Sequence, residues 1–251
     1  MAGRVAVVTG ASQGLGAAIT RRLAGDGMRV ALLARRAGPT EAIAASIVDA
    51  GGTAAAFVCD VTDRAQVETA IEAVVAEFGG IDVLVSNAGV TRDALIHRMT
   101  DEDWSTVIAT HLTGAFLVTQ AAQRHMVPRG FGRVIFIGST ATAGWRGQTN
   151  YAAAKAGLQG MTRTLAIELG AFGITVNLVQ PGHIDSELTR GTAQRLGIDY
   201  AEIAADRIAS NAIKRVGTPN DVAAAVSFFA SDETGYITGQ VLNVSGKPSI
   251  L

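Results

Sequence analysis

One cysteine, Cys59, stands in 251 residues, so no disulfide can form within the chain, and a reducing cytoplasm suits it. Basic residues never gather into a run and the formal net charge is −1. Without a stripe that could track phosphates, nucleic acid is disfavoured as a partner. No stretch approaches the roughly 18 uncharged apolar residues that cross a bilayer. The amino terminus reaches Thr9-Gly10 before a signal-peptide apolar segment could be completed. The expectation is a soluble, untargeted cytoplasmic protein with no membrane partner. Histidines and cysteine form no cluster with ligand spacing, so no metal is expected. Repeats at solenoid periods, low-complexity tracts and linkers are missing too, which favours one compact unit over residues 1–251.

What is present is apolar and rich in glycine: 48% hydrophobic residues and 29 glycines, enough for the core of one α/β domain. Short apolar runs at Val5–Val8, Val30–Leu33, Ala54–Val58, Val83–Val85, Val134–Ile137, Ile174–Val179 and Val241–Val244 read as seven buried strands. Between them, Gly16–Ala24, Glu41–Ala50, Ala65–Phe78, Asp103–Met126, Tyr151–Leu169 and Asn220–Ala230 read as helices. Continuous apolar strands alternating with helices imply a parallel sheet covered on both faces. Right-handed crossovers then give a single doubly wound, Rossmann-like sheet, with ligands at the carboxyl ends of its strands.

The turn after the first run is Gly10-Ala-Ser12-Gln13-Gly14-Leu15-Gly16. Backbone N–H groups opening a helix there make an anion site, and the glycines let a pyrophosphate approach. At the end of the second run, Arg35 and Arg36 stand where a carboxylate would read the ribose hydroxyl of NAD. They predict a 2′-phosphate, hence NADP(H), or else are solvated charges at a helix start. After the third run, Asp60 beside Val61 either accepts from an adenine amino group or caps the helix that starts near Arg64. Asn87-Ala88-Gly89 closes the fourth run, either to admit a cofactor ring or ribose or as a plain turn. Pro181-Gly182-His183-Ile184-Asp185-Ser186 follows the sixth and leads into a polar stretch to about Asn211 that is either a lid or irregular.

Tyr151-Ala-Ala-Ala-Lys155 is the stretch best suited to chemistry. Three tyrosines and three lysines occur in the whole chain, and on a helix these two share one face. A cation close to a phenol favours the phenolate, so the tyrosine pKa is expected to fall toward working pH, suiting proton exchange with an alcohol or carbonyl oxygen. Taken alone, Ser139 reads as a strand-end hydroxyl capping its own turn.

Together, Gly10-x3-Gly14-x-Gly16, Asn87-Ala88-Gly89, Ser139, Tyr151-x3-Lys155 and Pro181-Gly182 resemble the short-chain dehydrogenase/reductase family over nearly the whole chain. The resemblance implies an NAD(P)(H)-binding domain that moves a hydride between nicotinamide and a carbonyl or secondary alcohol, assembled as a homotetramer. It implies further that Tyr151 is the acid/base and that Ser139 binds the substrate oxygen. Lys155 would hold the nicotinamide ribose and lower the tyrosine pKa. Asn87, Ile184 and Ser186 would line the nicotinamide half, and Arg35 would grip the 2′-phosphate.

Within the family, Gly147-Gln-Thr-Asn-Tyr151-Ala-Ala-Ala-Lys155-Ala-Gly and Ser231-Asp-Glu-x-x-Tyr-Ile-Thr-Gly-Gln resemble 3-oxoacyl-(acyl carrier protein) reductases, implying an acyl-thioester substrate and acyl carrier protein as a partner. Four positions depart from that pattern. His111 replaces the asparagine that most relatives use to complete a proton relay. Eleven residues, where twelve are usual, separate Ser139 from Tyr151. Phe172 stands where carrier-protein reductases often have a basic residue, with Arg129 and Arg133 near by. Val244-Ser-Gly-Lys-Pro lacks the usual paired glycines. An imidazole beside Lys155 should be held neutral by like-charge repulsion, and its replacement by asparagine should move the acidic limb of the pH–rate profile.

The resulting expectation is NADPH-dependent reduction of a ketone, foremost a 3-oxoacyl thioester. The alternatives are a dehydrogenase of another secondary alcohol or cyclic ketone, and an NADP(H)-sensing regulator without turnover.

Overall fold

A computed structural model describes residues 1–248, the side chains of Leu188, Arg195 and Leu196 excepted. Its strands are β1 (Val5–Thr9), β2 (Arg29–Ala34), β3 (Thr53–Val58), β4 (Val83–Ser86), β5 (Gly132–Ile137), β6 (Ile174–Pro181) and β7 (Val241–Val244). They form one sheet in the order β3-β2-β1-β4-β5-β6-β7. Every neighbouring pair is parallel. The expected seven-stranded doubly wound α/β sheet is therefore present.

The helices are α1 (Gly14–Gly25), α2 (Ala37–Asp49), α3 (Arg64–Phe78), α4 (Asp101–Ile108), α5 (Gly114–Met126), α6 (Thr149–Gly170), α7 (Glu187–Leu196), α8 (Tyr200–Ser210) and α9 (Pro219–Ala230). Side chains alternate across each strand, and along the five central strands both faces are dry. Val5 and Val7 join Ile71 and Val74 of α3, Val118 of α5 and Leu158 of α6 in one core. Ala6 and Val8 join Leu23 of α1, Ile43 of α2 and Phe229 of α9 in the other. Burial on two faces is why these strands read as unbroken apolar runs. Each large side chain taken from water there contributes about 1.5–3 kcal/mol.

Strand order reverses between β1 and β4, so the chain leaves β1 toward one side of the sheet and β4 toward the other. The two exits are tied together. Thr9 Oγ1 accepts from the N–H groups of Asn87 (3.0 Å) and Ala88 (3.1 Å), and Asn87 Nδ2 donates to the carbonyls of Thr9 (2.9 Å) and Gly10 (3.2 Å).

Two segments differ from the sequence expectation. The single helix expected over 103–126 is interrupted by a π-helical turn at Ala109–Thr113, which separates α4 from α5. A single such turn only shifts the apolar stripe locally between two helical stretches, so the sequence pattern does not reveal it. The polar stretch after Ser186 is not irregular but holds α7 and α8. Ser186 caps α7 in a reciprocal box with Thr189, and Asp199 caps α8 through the Ala201 N–H at 2.9 Å.

Candidate active site

A cleft of about 1700 Å³ opens at the carboxyl ends of the strands, and every cofactor and catalytic residue expected from the sequence lines it. At one end lies the glycine turn. Gly10 has φ +64°, and a Cβ there would stand 2.8 Å from the Ala88 Cα, so bare backbone is required between β1 and β4. Helix α1 starts at Gly14 with no side-chain cap, unlike α3, α4, α7 and α8, and with no acid in its first turn. Its first N–H groups are left for an anion. Arg35 and Arg36, both exposed, follow β2 at the same end, and Arg36 donates to Gln13 Oε1 at 2.6 Å. This is a donor set that fits the phosphates of a dinucleotide.

Asp60 does not cap α3. Asp63 does, accepting from Ala65 (2.9 Å) and Gln66 (3.2 Å), while Asp60 Oδ1 takes the N–H and hydroxyl of Thr62 at 3.0 and 2.8 Å. Asp60 stays on the cleft wall, beside Val61.

At the other end, α6 sets Tyr151 and Lys155 one turn apart on the face toward β5. Lys155 is 4% exposed, and its Nζ donates to the Ile137 carbonyl at 2.5 Å and sits 5.6 Å from the Tyr151 ring centre. Burial pushes the ammonium down to about 7. The Tyr151 phenol is pushed up to about 12, chiefly by burial; the Ser139 hydrogen bond pulls it down and the Asp93 charge adds to the rise. The expected fall in the tyrosine pKa is thus not what the structure gives. Desolvation outweighs a lysine whose own charge is disfavoured. Ser139 caps its own turn through the Ala141 N–H (3.1 Å) and also hydrogen-bonds Tyr151.

His111 lies at the centre of the π turn, 4% exposed and edge-on to Tyr151. Its Nε2 is 2.7 Å from the Val90 carbonyl and 3.1 Å from the Val90 N–H, so the backbone meets either tautomer. Its Nδ1 is buried without a hydrogen-bond partner among the described residues. A Cβ on Gly89 would collide with this ring, which is a reason for glycine at that position. Burial first, and the Lys155 charge second, push the imidazole down to about 3. It is neutral, as expected, but titrates far below the range in which it could shape an acidic limb.

Asn150 escaped the sequence reading. It is fully buried and donates to the Arg92 and Asp103 carbonyls at 2.9 and 3.1 Å while accepting from the Tyr151 N–H at 2.7 Å, so it fixes the helix start that carries the phenol. Its place in the first turn of a helix was the available signal. Arg129 and Arg133, by contrast, do not reach the cleft. Arg133 is buried and donates to the Ser231 and Gly132 carbonyls, and Arg129 to the Gly79 carbonyl and Asp82, around the amino end of β5.

A sequence model described as short chain dehydrogenase matches residues 4–197. The chain belongs to the short-chain dehydrogenase family. The short-chain reductase protein NovJ of Streptomyces niveus is 45% identical over 242 residues, covering 96% of this chain and 92% of that one. The 3-oxoacyl-[acyl-carrier-protein] reductase FabG of Escherichia coli (strain K12) is 44% identical over 247 residues, covering 97% and 96%. Among solved structures, actinorhodin polyketide ketoreductase with NADPH superposes with a TM-score of 0.93 at 34% identity, covering 97% and 96%. Membership makes this short-chain dehydrogenase an oxidoreductase working with a nicotinamide cofactor. No helix among the described residues is long and apolar enough to cross a membrane.

Proposed function

We propose that the chain is an NADP(H)-dependent reductase of 3-oxoacyl thioesters, acting as one domain in a cytoplasmic homotetramer. What carries the reading is one cleft with an uncapped helix terminus and two arginines at one end, and Ser139, Tyr151 and Lys155 meeting at the other. The likeness to 3-oxoacyl-[acyl-carrier-protein] reductases supports the acyl thioester. Exposed Phe228 and Tyr236, near the edge strand β7, support burial of that face against a second copy.

The N–H groups of α1 with Gly10, Ser12, Gln13, Leu15 and Gly16 hold the pyrophosphate, and Arg35 with Arg36 the 2′-phosphate. Asp60 and Val61 flank the adenine. Asn87, Ala88, Gly89, Pro181, Gly182, Ile184 and Ser186 enclose the nicotinamide half, with Lys155 on its ribose. Bound there, the cofactor supplies a hydride.

The protein's own part is electrostatic and protonic. Ser139 and Tyr151 donate to the ketone oxygen and stabilise the negative charge that grows on it. A phenol near 12 is protonated throughout the working range, and an alkoxide is far more basic than its phenolate, so Tyr151 gives up its proton downhill. His111, neutral, donates from Nε2 to the Val90 carbonyl and packs edge-on against the Tyr151 ring, which helps to hold the phenol in place.

Following NADPH absorbance with an acetoacetyl thioester and with cyclic ketones tests this. Turnover of the thioester is expected. Preference for a cyclic ketone would redirect the substrate class, and binding without turnover would make the chain a regulator.

A further inference from the structure

Beyond the residues that meet the ketone, the substrate half of the cleft has a charge pattern of its own. Carboxylates among the lining residues number two, Asp60 and Glu187. Asp60 follows β3 by two residues and Glu187 faces Gly14, so both belong to the cofactor end. Arg92, Arg207 and Lys247 line the other half, where Asp93, beside Arg92, lies close enough to Tyr151 to raise its pKa.

Arg207, on α8, is the best placed of the three. Its guanidinium lies over the Trp145 ring, 4.2 Å from the centroid, and so joins α8 to the loop between β5 and α6. That loop is braced against the chain beside Arg92, since the Ala94 N–H donates to the Gly147 carbonyl at 2.9 Å and Gln148 to Asp93 at 3.2 Å. Among the described residues Arg207 pairs with Asp206 at 3.7 Å, its chain neighbour, whose side chain is 72% exposed. Adjacent residues on a helix do not face each other, and such a pair contributes little. Stacking fixes the plane of the fork and leaves its edge N–H groups available, the arrangement suited to two oxygens of one phosphate.

We infer that Arg207, stacked on Trp145 at the rim of the substrate half, is a specificity-determining contact for the phosphate on the pantetheine arm of an acyl-thioester substrate. The inference rests on the thioester reading above. That phosphate is common to coenzyme A and to a carrier-protein arm, so the contact recognises both. An acyl group whose ketone meets Tyr151 must leave its arm in the half bounded by Trp145 and α8, because the glycine turn and Arg35 end is given to the cofactor.

The test compares three acetoacetyl esters with NADPH: pantetheine, 4′-phosphopantetheine and coenzyme A. A charge-assisted contact predicts that kcat/KM for the phosphopantetheine ester exceeds that of the pantetheine ester by about tenfold, mostly in KM, and that the ratio shrinks with salt. Arg207→Ala should bring the ratio close to one, Arg207→Glu below one, and Arg207→Lys should keep part of it. An unchanged ratio in Arg207→Ala, or no preference in the unaltered protein, overturns the inference and leaves the thioester reading standing. A gain seen with the coenzyme A ester alone also overturns it, since the charge recognised would then lie on the nucleotide. Failure of all three esters to turn over overturns the thioester reading and the inference together.

Discussion

The imidazole of His111 stands edge-on to the Tyr151 ring, centroids 5.1 Å apart and planes at 87°. This contact joins the π turn of the α4–α5 helix to the phenol on α6. Because burial keeps the imidazole neutral, its role is one of shape and hydrogen bonding, not of charge.

His111→Asn should therefore keep activity within about tenfold, since the backbone carbonyl and a polar side chain remain. From pH 5 to 9 the two profiles of kcat/KM should superimpose in shape. A group pushed down to about 3 contributes no limb in that window, which corrects the sequence expectation of a moving acidic limb. A limb displaced by the substitution would show that His111 titrates during turnover.

Arg35 and Arg36 make the cofactor preference a direct readout. Charge-assisted hydrogen bonds to a phosphate are each worth about 1.5–3 kcal/mol. Replacing both by Ser should lower kcat/KM for NADPH by at least about tenfold and leave NADH nearly unaffected. Equal use of both cofactors before substitution would remove the basis of the assignment.

Lys155 leaves a signature in stability. Its folded pKa is depressed from 10.5 to about 7. Between these values the unfolded chain binds more protons, so stability rises with pH. The cost of the buried ammonium is fully present below about pH 7 and fades as pH approaches 10.5. Lys155→Met, even with a fixed loss of the bond to Ile137, should therefore be relatively most stable at pH 6, by a few kcal/mol, with the advantage fading toward pH 10. Thermal melts of both proteins from pH 6 to 10 measure the slope. A difference independent of pH would show that the ammonium is not desolvated.

The assembly reading predicts a tetrameric mass by light scattering at micromolar concentration. Phe228→Glu, half-exposed on α9, should shift that mass downward. A monomer before substitution would refute it.

The sheet was legible because parallel strands dry on both faces write unbroken apolar runs, and Val5–Val8 or Ile174–Val179 could hardly be anything else. Helices α7 and α8 were not, because their faces toward the cleft carry polar residues such as Thr189 and Arg207. The caps Ser186 and Asp199 were the remaining signal. The site was legible where chemistry needs a fixed residue type, as at Gly10, Tyr151 and Lys155. Where burial decides, it was not. The phenol pKa was expected to fall because a neighbouring charge can be read from spacing, whereas the desolvation that raises it depends on side chains remote in sequence, such as His111, packing against the phenol. Asn150 stayed hidden for the same reason, since its partners Arg92 and Asp103 are remote in sequence.

The central claim is that Tyr151 donates the proton to the ketone oxygen. Single-turnover oxidation of NADPH by an acetoacetyl thioester, compared between the unaltered protein and Tyr151→Phe, tests it most directly, with NADPH affinity measured alongside by fluorescence. Removing only the donor should slow the single turnover by at least about 100-fold while NADPH affinity stays within about twofold. A Tyr151→Phe protein that retains most of its single-turnover rate would contradict the account.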